Sequence, residues 1–365
     1  MEEAPGSQND PIHKDRGGGQ NMGKRKKIAV RARSQAKSKG GAAKRTTPFG
    51  KRHAGPRGLF AGLIPDTANF APLTPVSFLP RTAAIHPDRV AVIHGARRYS
   101  YRQFYDRARR LASALARRGI RAGDTVSVML PNVPAMVEAH FDVPMLGAVL
   151  NTINTRLDAA TLAYILKHGE AKALITDREF AAQVGPALAQ LKRQPLVIDV
   201  DDELFSGPGE RLGQIEYEEF IAGGDPTFDW TPPADESSAI ALNYTSGTTG
   251  NPKGVVYHHR GTFLEAVGNI LAWPMPPRPV YLWTLPMFHC NGWCFPWSVV
   301  AMGGTHVCLR RVDPALIFSL IVEHDVTHMC GAPTVLNMLV SAPAEQRRAF
   351  DQVVDIQTGG SPPPA

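Results

Sequence analysis

The sequence predicts an α/β fold built on parallel β-sheets. Two observations carry this. Strand-like runs at Thr125–Met129, Ala148–Leu150, Ala173–Ile175 and Leu196–Ile198 are separated by stretches with helical patterning. A second alternating set then runs from Val280 to Gln357. Strands that alternate with helices imply βαβ units and a doubly wound parallel sheet. With 365 residues the chain can bury a large core, one large domain with extras. No internal repeat is apparent.

The folded body is expected to begin near Leu73. Val90–Ile93 and Arg98–Tyr101, separated by His94-Gly-Ala, read as a hairpin. Ser100 and Gln103 form a capping box for a helix through Phe104, Ala108, Leu111 and Leu115 to Gly119. A helix follows Pro134 and is expected to bend at Pro144. Further helices are placed near Ala159–His168, ended by Gly169, and at Phe180–Leu191. Residues 206–235, rich in Gly, Pro and Asp, read as a connection between layers. Ser238–Asn243 is an apolar run that reads as a buried strand, Val255–Tyr257 as another, and Thr262–Leu271 as a helix. The second set comprises strands at Val280–Thr284, Thr305–Leu309, Thr327–Cys330 and Asp355–Gln357, with helices at Pro314–His324 and Val335–Val340.

The formal net charge of +7 is unevenly spread. Residues 1–60 hold 15 Lys and Arg against 4 Asp and Glu, leaving 25 basic and 29 acidic residues in 61–365. The first stretch has almost no large apolar side chains before Phe49, so burial cannot offset its ordering entropy. It is expected to be a disordered basic tail. Lys24-Arg-Lys-Lys27 offers charge for nucleic acid or an anionic surface. The reading taken is a solvated tail, or an extension from a start codon assigned too far upstream, and nucleic acid is not expected as a partner. The tail lacks the apolar core of a secretory signal, so a cytoplasmic location and reduced, buried thiols at Cys290, Cys294, Cys308 and Cys330 are expected. Cys290-x-x-x-Cys294 has a zinc-ligand spacing, but no second close pair completes a set. Pro279 to Leu309 contains no charged residue; Pro286, Asn291, Pro296, Gly303 and Gly304 interrupt it, so it reads as a buried segment and not as a membrane span.

Chemistry concentrates in Tyr244-Thr-Ser-Gly-Thr-Thr-Gly-Asn-Pro-Lys253-Gly-Val-Val. Gly247 and Gly250 allow positive φ and inward-turned N–H groups. Thr245, Ser246, Thr248 and Thr249 supply hydroxyl donors, and Lys253 a positive charge. That is a phosphate cradle. It is not a Walker A loop, because Gly254, not Ser or Thr, follows the lysine.

This loop resembles that of the adenylate-forming (AMP-binding) superfamily, and similarity extends from about Pro72 to Ala365. Leu285-Pro-Met-Phe-His-Cys-Asn-Gly-Trp293 resembles a second family segment, and Gln357-Thr-Gly-Gly-Ser-Pro-Pro-Pro364 the adenine-contacting one. The nearest likeness is to short- and medium-chain fatty acyl-CoA synthetases, including methylmercaptopropionyl-CoA ligases. The resemblance implies a partial large N-terminal domain in 61–365, with layered parallel sheets and packed helices, that stops before the small C-terminal domain. It implies ATP-dependent activation of a carboxylic acid to an acyl-adenylate and then an acyl-CoA thioester, with ATP, Mg2+ and CoA as the reagents. It places His289 beside the reacting carboxylate and Gly359, Gly360, Ser361 and Pro362 on the adenine side. A carboxylate needs no deprotonation at neutral pH, so guidance rather than general-base work is expected of His289; a satisfied core histidine is the other reading. The absence of a carboxylate in Phe-His-Cys-Asn-Gly-Trp favours an acid without an amino group. Trp283, Phe288, Trp293, Phe295 and Trp297 are read as core more readily than as acyl pocket.

By the same resemblance, the magnesium-binding glutamate, the ribose-gripping aspartate, the adenylation lysine and much of the CoA site would follow Ala365. These 365 residues alone are therefore expected to bind ATP weakly and not to complete thioester formation. The alternatives are a non-catalytic nucleotide-binding homologue, a nucleic-acid-binding protein acting through its tail, and an adenylating ligase that loads a carrier protein.

Overall fold

The computed structural model describes residues 69–245 and 251–359. They belong to one compact unit, Lys51–Ala365. The basic tail and several loop and C-terminal residues lie outside the described set.

In chain order, α1 (Phe78–Ile85) precedes a hairpin of β1 (Val90–His94) and β2 (Arg97–Ser100). Next come α2 (Tyr101–Arg117), β3 (Thr125–Met129), α3 (Pro134–Met145), β4 (Val149–Thr152), α4 (Ala159–His168), β5 (Ala171–Asp177), α5 (Ala181–Ala189) and β6 (Leu196–Val200). β7 (Ile215–Glu216) and α6 (Tyr217–Ala222) lie within the stretch expected to be a plain connection. There follow β8 (Ala239–Tyr244), β9 (Gly254–His258), α7 (His259–Ala272), β10 (Val280–Leu282), α8 (Cys290–Trp293) and α9 (Phe295–Ala301). The last elements are β11 (Thr305–Val307), α10 (Pro314–His324), β12 (His328–Gly331), α11 (Pro333–Val340) and β13 (Asp355–Thr358). Pro144 sits one residue from the end of α3, so the expected bend is a terminus. The capping box forms as read: Gln103 N donates to Ser100 Oγ (3.3 Å) and Ser100 N to Gln103 Oε1 (2.8 Å).

Two sheets form. One has the order β7-β6-β5-β3-β4-β8-β9, the other β13-β12-β10-β11-β1-β2, and all pairs are parallel except β8–β9 and β1–β2. β1 joins the second sheet by pairing with β11, more than 200 residues downstream, a link that chain order does not disclose. Side-chain alternation identifies the layers. From β3, Val126 and Val128 enter one core and Met129 another; from β10, Tyr281 enters that first core and Leu282 a third. The shared core also takes in α1, α2, α3 and α9, whereas α4 and α5 cover the outer face of the first sheet and α10 that of the second. The result is five layers, α-β-α-β-α, with both faces of the strands covered, as parallel sheets require.

Burial on all sides explains α3, whose every residue is buried. Its Glu138 carboxylate is met by Arg107, which also makes two 2.8 Å bonds to Glu218, and by the Tyr217 hydroxyl at 2.6 Å. Burial, then the charge on Glu138, push the pKa of Asp142, one turn on, well above the usual value.

A second cluster joins the sheets. Arg310, just beyond β11, bonds Asp177 at the end of β5 (2.8 and 2.9 Å), Glu179 (2.7 Å) and Asp202 (2.7 Å). His94 Nε2 from β1 also reaches Asp202 at 3.0 Å. Burial alone would raise the Asp202 pKa, but hydrogen bonds from His94 and Arg310 more than offset this and hold it down to about 2. The folded value therefore lies below the unfolded one of about 3.9, so this contribution is whole above about pH 4 and lost as pH falls toward 2. Thermal unfolding of the native chain should show its midpoint falling across that window. Asp202→Asn should lower the midpoint at neutral pH and flatten the acid slope; superimposable profiles would contradict the assignment.

Candidate functional site

The Tyr244–Lys253 segment is held at both flanks. β8 and β9 pair antiparallel with Tyr244 opposite Gly254, and Thr245 N donates to Lys253 O at 3.0 Å. Lys253 N in turn reaches Thr245 Oγ1 at 3.4 Å. Thr245 and Lys253 are thus neighbours at the base of a hairpin, and the Lys253 side chain is exposed. No carboxylate among the described residues pairs with its ammonium. Ser246, Gly247, Thr248, Thr249 and Gly250 lie outside the described residues. Beside Tyr244, Thr245 and Asn251 is a cavity of about 360 Å³, lined also by polar groups of Asn151, Thr152 and Asp158. The Tyr244 hydroxyl is 2.8 Å from His168 Nδ1, at the end of α4.

The segment from Trp283 to Cys294 is fastened by asparagines. Asn132 donates through Nδ2 to the carbonyls of Trp283 (2.8 Å) and Leu285 (2.9 Å), and its Oδ1 accepts from Met287 N (2.8 Å). The Thr152 hydroxyl is shared between Phe288 O (3.0 Å) and Asn243 Oδ1 (2.9 Å). Asn243 then donates its amide to Asn291 Oδ1. Asn243 sits on β8 directly before the loop, so this bond couples the loop to the Leu285–Trp293 segment.

Cys290 to Cys294 form a turn in which every residue has positive φ, from +45° to +64°. Only Gly292 is a glycine, and for the others this conformation costs roughly 1–2 kcal/mol each. Several contacts hold the turn: Asn243 on Asn291, Asn269 Nδ2 on the Trp293 carbonyl at 2.7 Å, and Ser298 Oγ on the Cys294 carbonyl at 3.2 Å. A Cβ at Gly292 would lie 2.9 Å from the Trp283 ring, so the glycine is needed for close approach as well as for φ.

Beside this turn is a second cavity, of about 410 Å³, lined by Tyr257, His258, Thr262, Glu265, Cys290, Trp293 and Cys294, among others. Its volume suits a small ligand. Burial, then the adjacent Cys290 thiol, push the Tyr257 phenol up to about 12, so it stays protonated.

His289 is exposed and precedes α8, so it is not a satisfied core histidine. Cys290 is also exposed, against the expectation of four buried thiols; Cys294, Cys308 and Cys330 are buried. Of the five aromatics, Trp283, Phe295 and Trp297 are core. Trp283 Nε1 donates to His306 Nδ1 (3.0 Å), and burial, with His140 nearby, lowers His306 to about 3, leaving it a neutral acceptor. Trp297 Nε1 donates to the His140 carbonyl at 3.0 Å. Trp293 alone of the five lines the 410 Å³ cavity. Its indole also packs on Gly359: a Cβ there would come within 2.5 Å of the ring. Gly360, Ser361 and Pro362 lie outside the described residues. Asn132, Thr152, Asn243 and Asn291 escaped the sequence reading, although an asparagine inside the apolar run Ala239–Tyr244 is a signal that could have found one of them.

Described parts of three separately recognised segments therefore meet: Asn243, just before the loop, the Leu285–Trp293 stretch, and Gly359 against Trp293. The sequence matches the AMP-binding enzyme family over residues 79–365. The chain belongs to that family. Among AMP-binding enzymes it is 50% identical over 309 residues to the acetate/butyrate–CoA ligase AAE7, peroxisomal, of Arabidopsis thaliana, covering 81% of this chain and 54% of that one. It is 46% identical over 313 residues to the trans-cinnamate:CoA ligase, peroxisomal, of Petunia hybrida, covering 81% and 55%. The chain thus spans about half the length of these curated relatives. The inhibitor-bound N-terminal domain of FACL13 from Mycobacterium tuberculosis superimposes with a TM-score of 0.68 at 26% identity, covering 80% of this chain and 71% of that one. A long-chain-fatty-acid-CoA ligase (FadD1) from Archaeoglobus fulgidus, at 21% identity and TM-score 0.71, shares the fold over 81% of this chain and 59% of its own.

In this AMP-binding chain the Asn243–Asn291 bond predicts a measurable cost. Asn291→Ala removes both the amide partner and a residue type that tolerates left-handed geometry, and leaves buried Asn243 short of an acceptor. Chemical denaturation should show a loss of about 1–3 kcal/mol. An unchanged midpoint would mean that the turn is held without this bond.

Proposed function

We propose that this chain is the ATP- and acid-binding part of an acyl-CoA ligase, which activates a short, apolar carboxylic acid as its acyl-adenylate for transfer to CoA. One observation carries the reading. β9 begins immediately after Lys253 and contributes Val256, Tyr257 and His258 to the 410 Å³ cavity. A phosphate bound at the loop and an acyl chain in the cavity would therefore be separated by about one short strand. Both reactants are anions, so the task is charge neutralisation and alignment.

In this reading Lys253 and the loop hydroxyls and N–H groups hold the triphosphate, His289 guides the carboxylate, and the segment 359–362 flanks adenine. Acetate, butyrate and cinnamate appear in the names of the relatives, which supports a short or aromatic acid without an amino group. ATP, Mg2+ and CoA are the proposed co-reactants. Among the described residues no group of three or more His, Cys, Asp or Glu side chains is arranged to hold a metal, so no ligand for Mg2+ is nominated. The cytoplasm is the proposed compartment; peroxisomal names among the plant relatives make the peroxisome the alternative that fractionation would separate.

Calorimetric titration of the chain with Mg-ATP tests the assignment. Lys253→Ala should weaken binding about tenfold or more, the value of one charge-assisted hydrogen bond. Equal affinities would remove Lys253 from the site, and no binding to the native chain would contradict the function.

A further inference from the structure

The wall that Trp293 contributes to the 410 Å³ cavity is held at several points. We propose that Trp293 is the specificity-determining residue of this cavity, its indole setting the length of acyl chain that fits. The inference rests on the cavity's being the acyl site, as proposed above.

Trp293 lines the cavity with Tyr257, Thr262, Cys290 and Cys294, while its ring lies against the backbone of Gly359. The closest approach is at Cη2, where a Cβ on Gly359 would stand at 2.5 Å; Cζ2 and Cζ3 follow at 3.1 and 3.3 Å. The indole is therefore a partition, with ligand space on one side and the end of β13 on the other. Its backbone is in the left-handed region (φ +52°), and its carbonyl is gripped by Asn269 of α7 at 2.7 Å. The preceding residue, Gly292, is packed on the ring of fully buried Trp283. A partition fixed at its own carbonyl, at its neighbour and at its ring edge cannot retreat when a longer chain arrives, because close-packed interiors yield little.

Two substitutions move the partition in opposite directions. Trp293→Ala removes it and opens the space over Gly359 to the ligand. Gly359→Ala places a methyl where the indole now sits and pushes the ring into the cavity. Each methylene newly buried in the enlarged cavity should improve binding about fourfold, and each one excluded from the reduced cavity should lose a similar factor.

The experiment titrates the full chain and both variants, by calorimetry, with adenosine acyl sulfamates carrying acetyl, butyryl, hexanoyl and octanoyl groups. These are stable mimics of an acyl-adenylate. In Trp293→Ala the octanoyl-to-butyryl affinity ratio should rise by an order of magnitude or more, and in Gly359→Ala it should fall below the native ratio. A residue with a merely structural role would depress every affinity alike, so one chain-length profile shared by all three proteins overturns the proposal. If the native chain binds none of the analogues, the acid-binding reading fails, and this inference with it. If it binds them with no dependence on chain length, only the inference fails.

Discussion

The arrangement of the site depends on a buried amide contact, Asn243 to Asn291, that ties a strand of one sheet to a turn from the other. On one side it is continuous with β8 and the Thr245–Lys253 base of the hairpin. On the other it holds a five-residue left-handed turn whose conformation most of its residues disfavour. Strain of this kind persists where the surroundings over-determine it. Here Asn132, Thr152, Asn269 and Ser298 do so, each bonding a backbone carbonyl in the segment. The consequence is functional: the turn presents Cys290 and Trp293 to one cavity and leaves His289 exposed at its start.

The five-layer architecture makes such polar ties necessary. A central helical layer between two parallel sheets has no solvent face, so each polar group in it needs a protein partner. Arg107 and Tyr217 serve Glu138; the exception is Asp142, whose two oxygens have no partner and whose pKa burial raises. Where the sheets approach each other near the ends of β5 and β11, Arg310 meets three carboxylates, and His94 together with Arg310 holds the Asp202 pKa down despite its burial. These clusters carry out for the scaffold what the asparagines do for the site.

Much of this was legible in the sequence because it is local. The Ser100 capping box, the helix Ala159–His168 ended by Gly169, and Pro314–His324 between Asp313 and Asp325 are written in neighbouring residues, and all stand in the structure. The resemblance drew attention to the Tyr244–Lys253 stretch, the His289 segment and Gly359. The pairing of β1 with β11 was not legible, since a βαβ pattern does not say which sheet a distant hairpin joins. Nor was the left-handed turn: cysteine and tryptophan have no preference for positive φ, and the contacts that enforce it come from Thr152, Asn243 and Asn269, all distant or on other elements. Cys290 was expected to be buried with the other thiols because its neighbours are apolar; the turn carries it outward. The short strand β7 and helix α6 were hidden by the Gly, Pro and Asp residues around them.

If the Thr245–Lys253 stretch binds phosphate and the 410 Å³ cavity beside Trp293 takes the acyl group, as proposed, the two halves of an acyl-adenylate occupy joined subsites. The most direct test compares the affinity of the chain for AMP, for butyrate and for the butyryl sulfamate of adenosine under the same conditions. If the subsites are joined as described, the linked molecule should bind far more tightly than either part, because the second contact becomes intramolecular. An affinity no better than that of AMP alone would show that the cavity beside Trp293 is not where the acyl group goes.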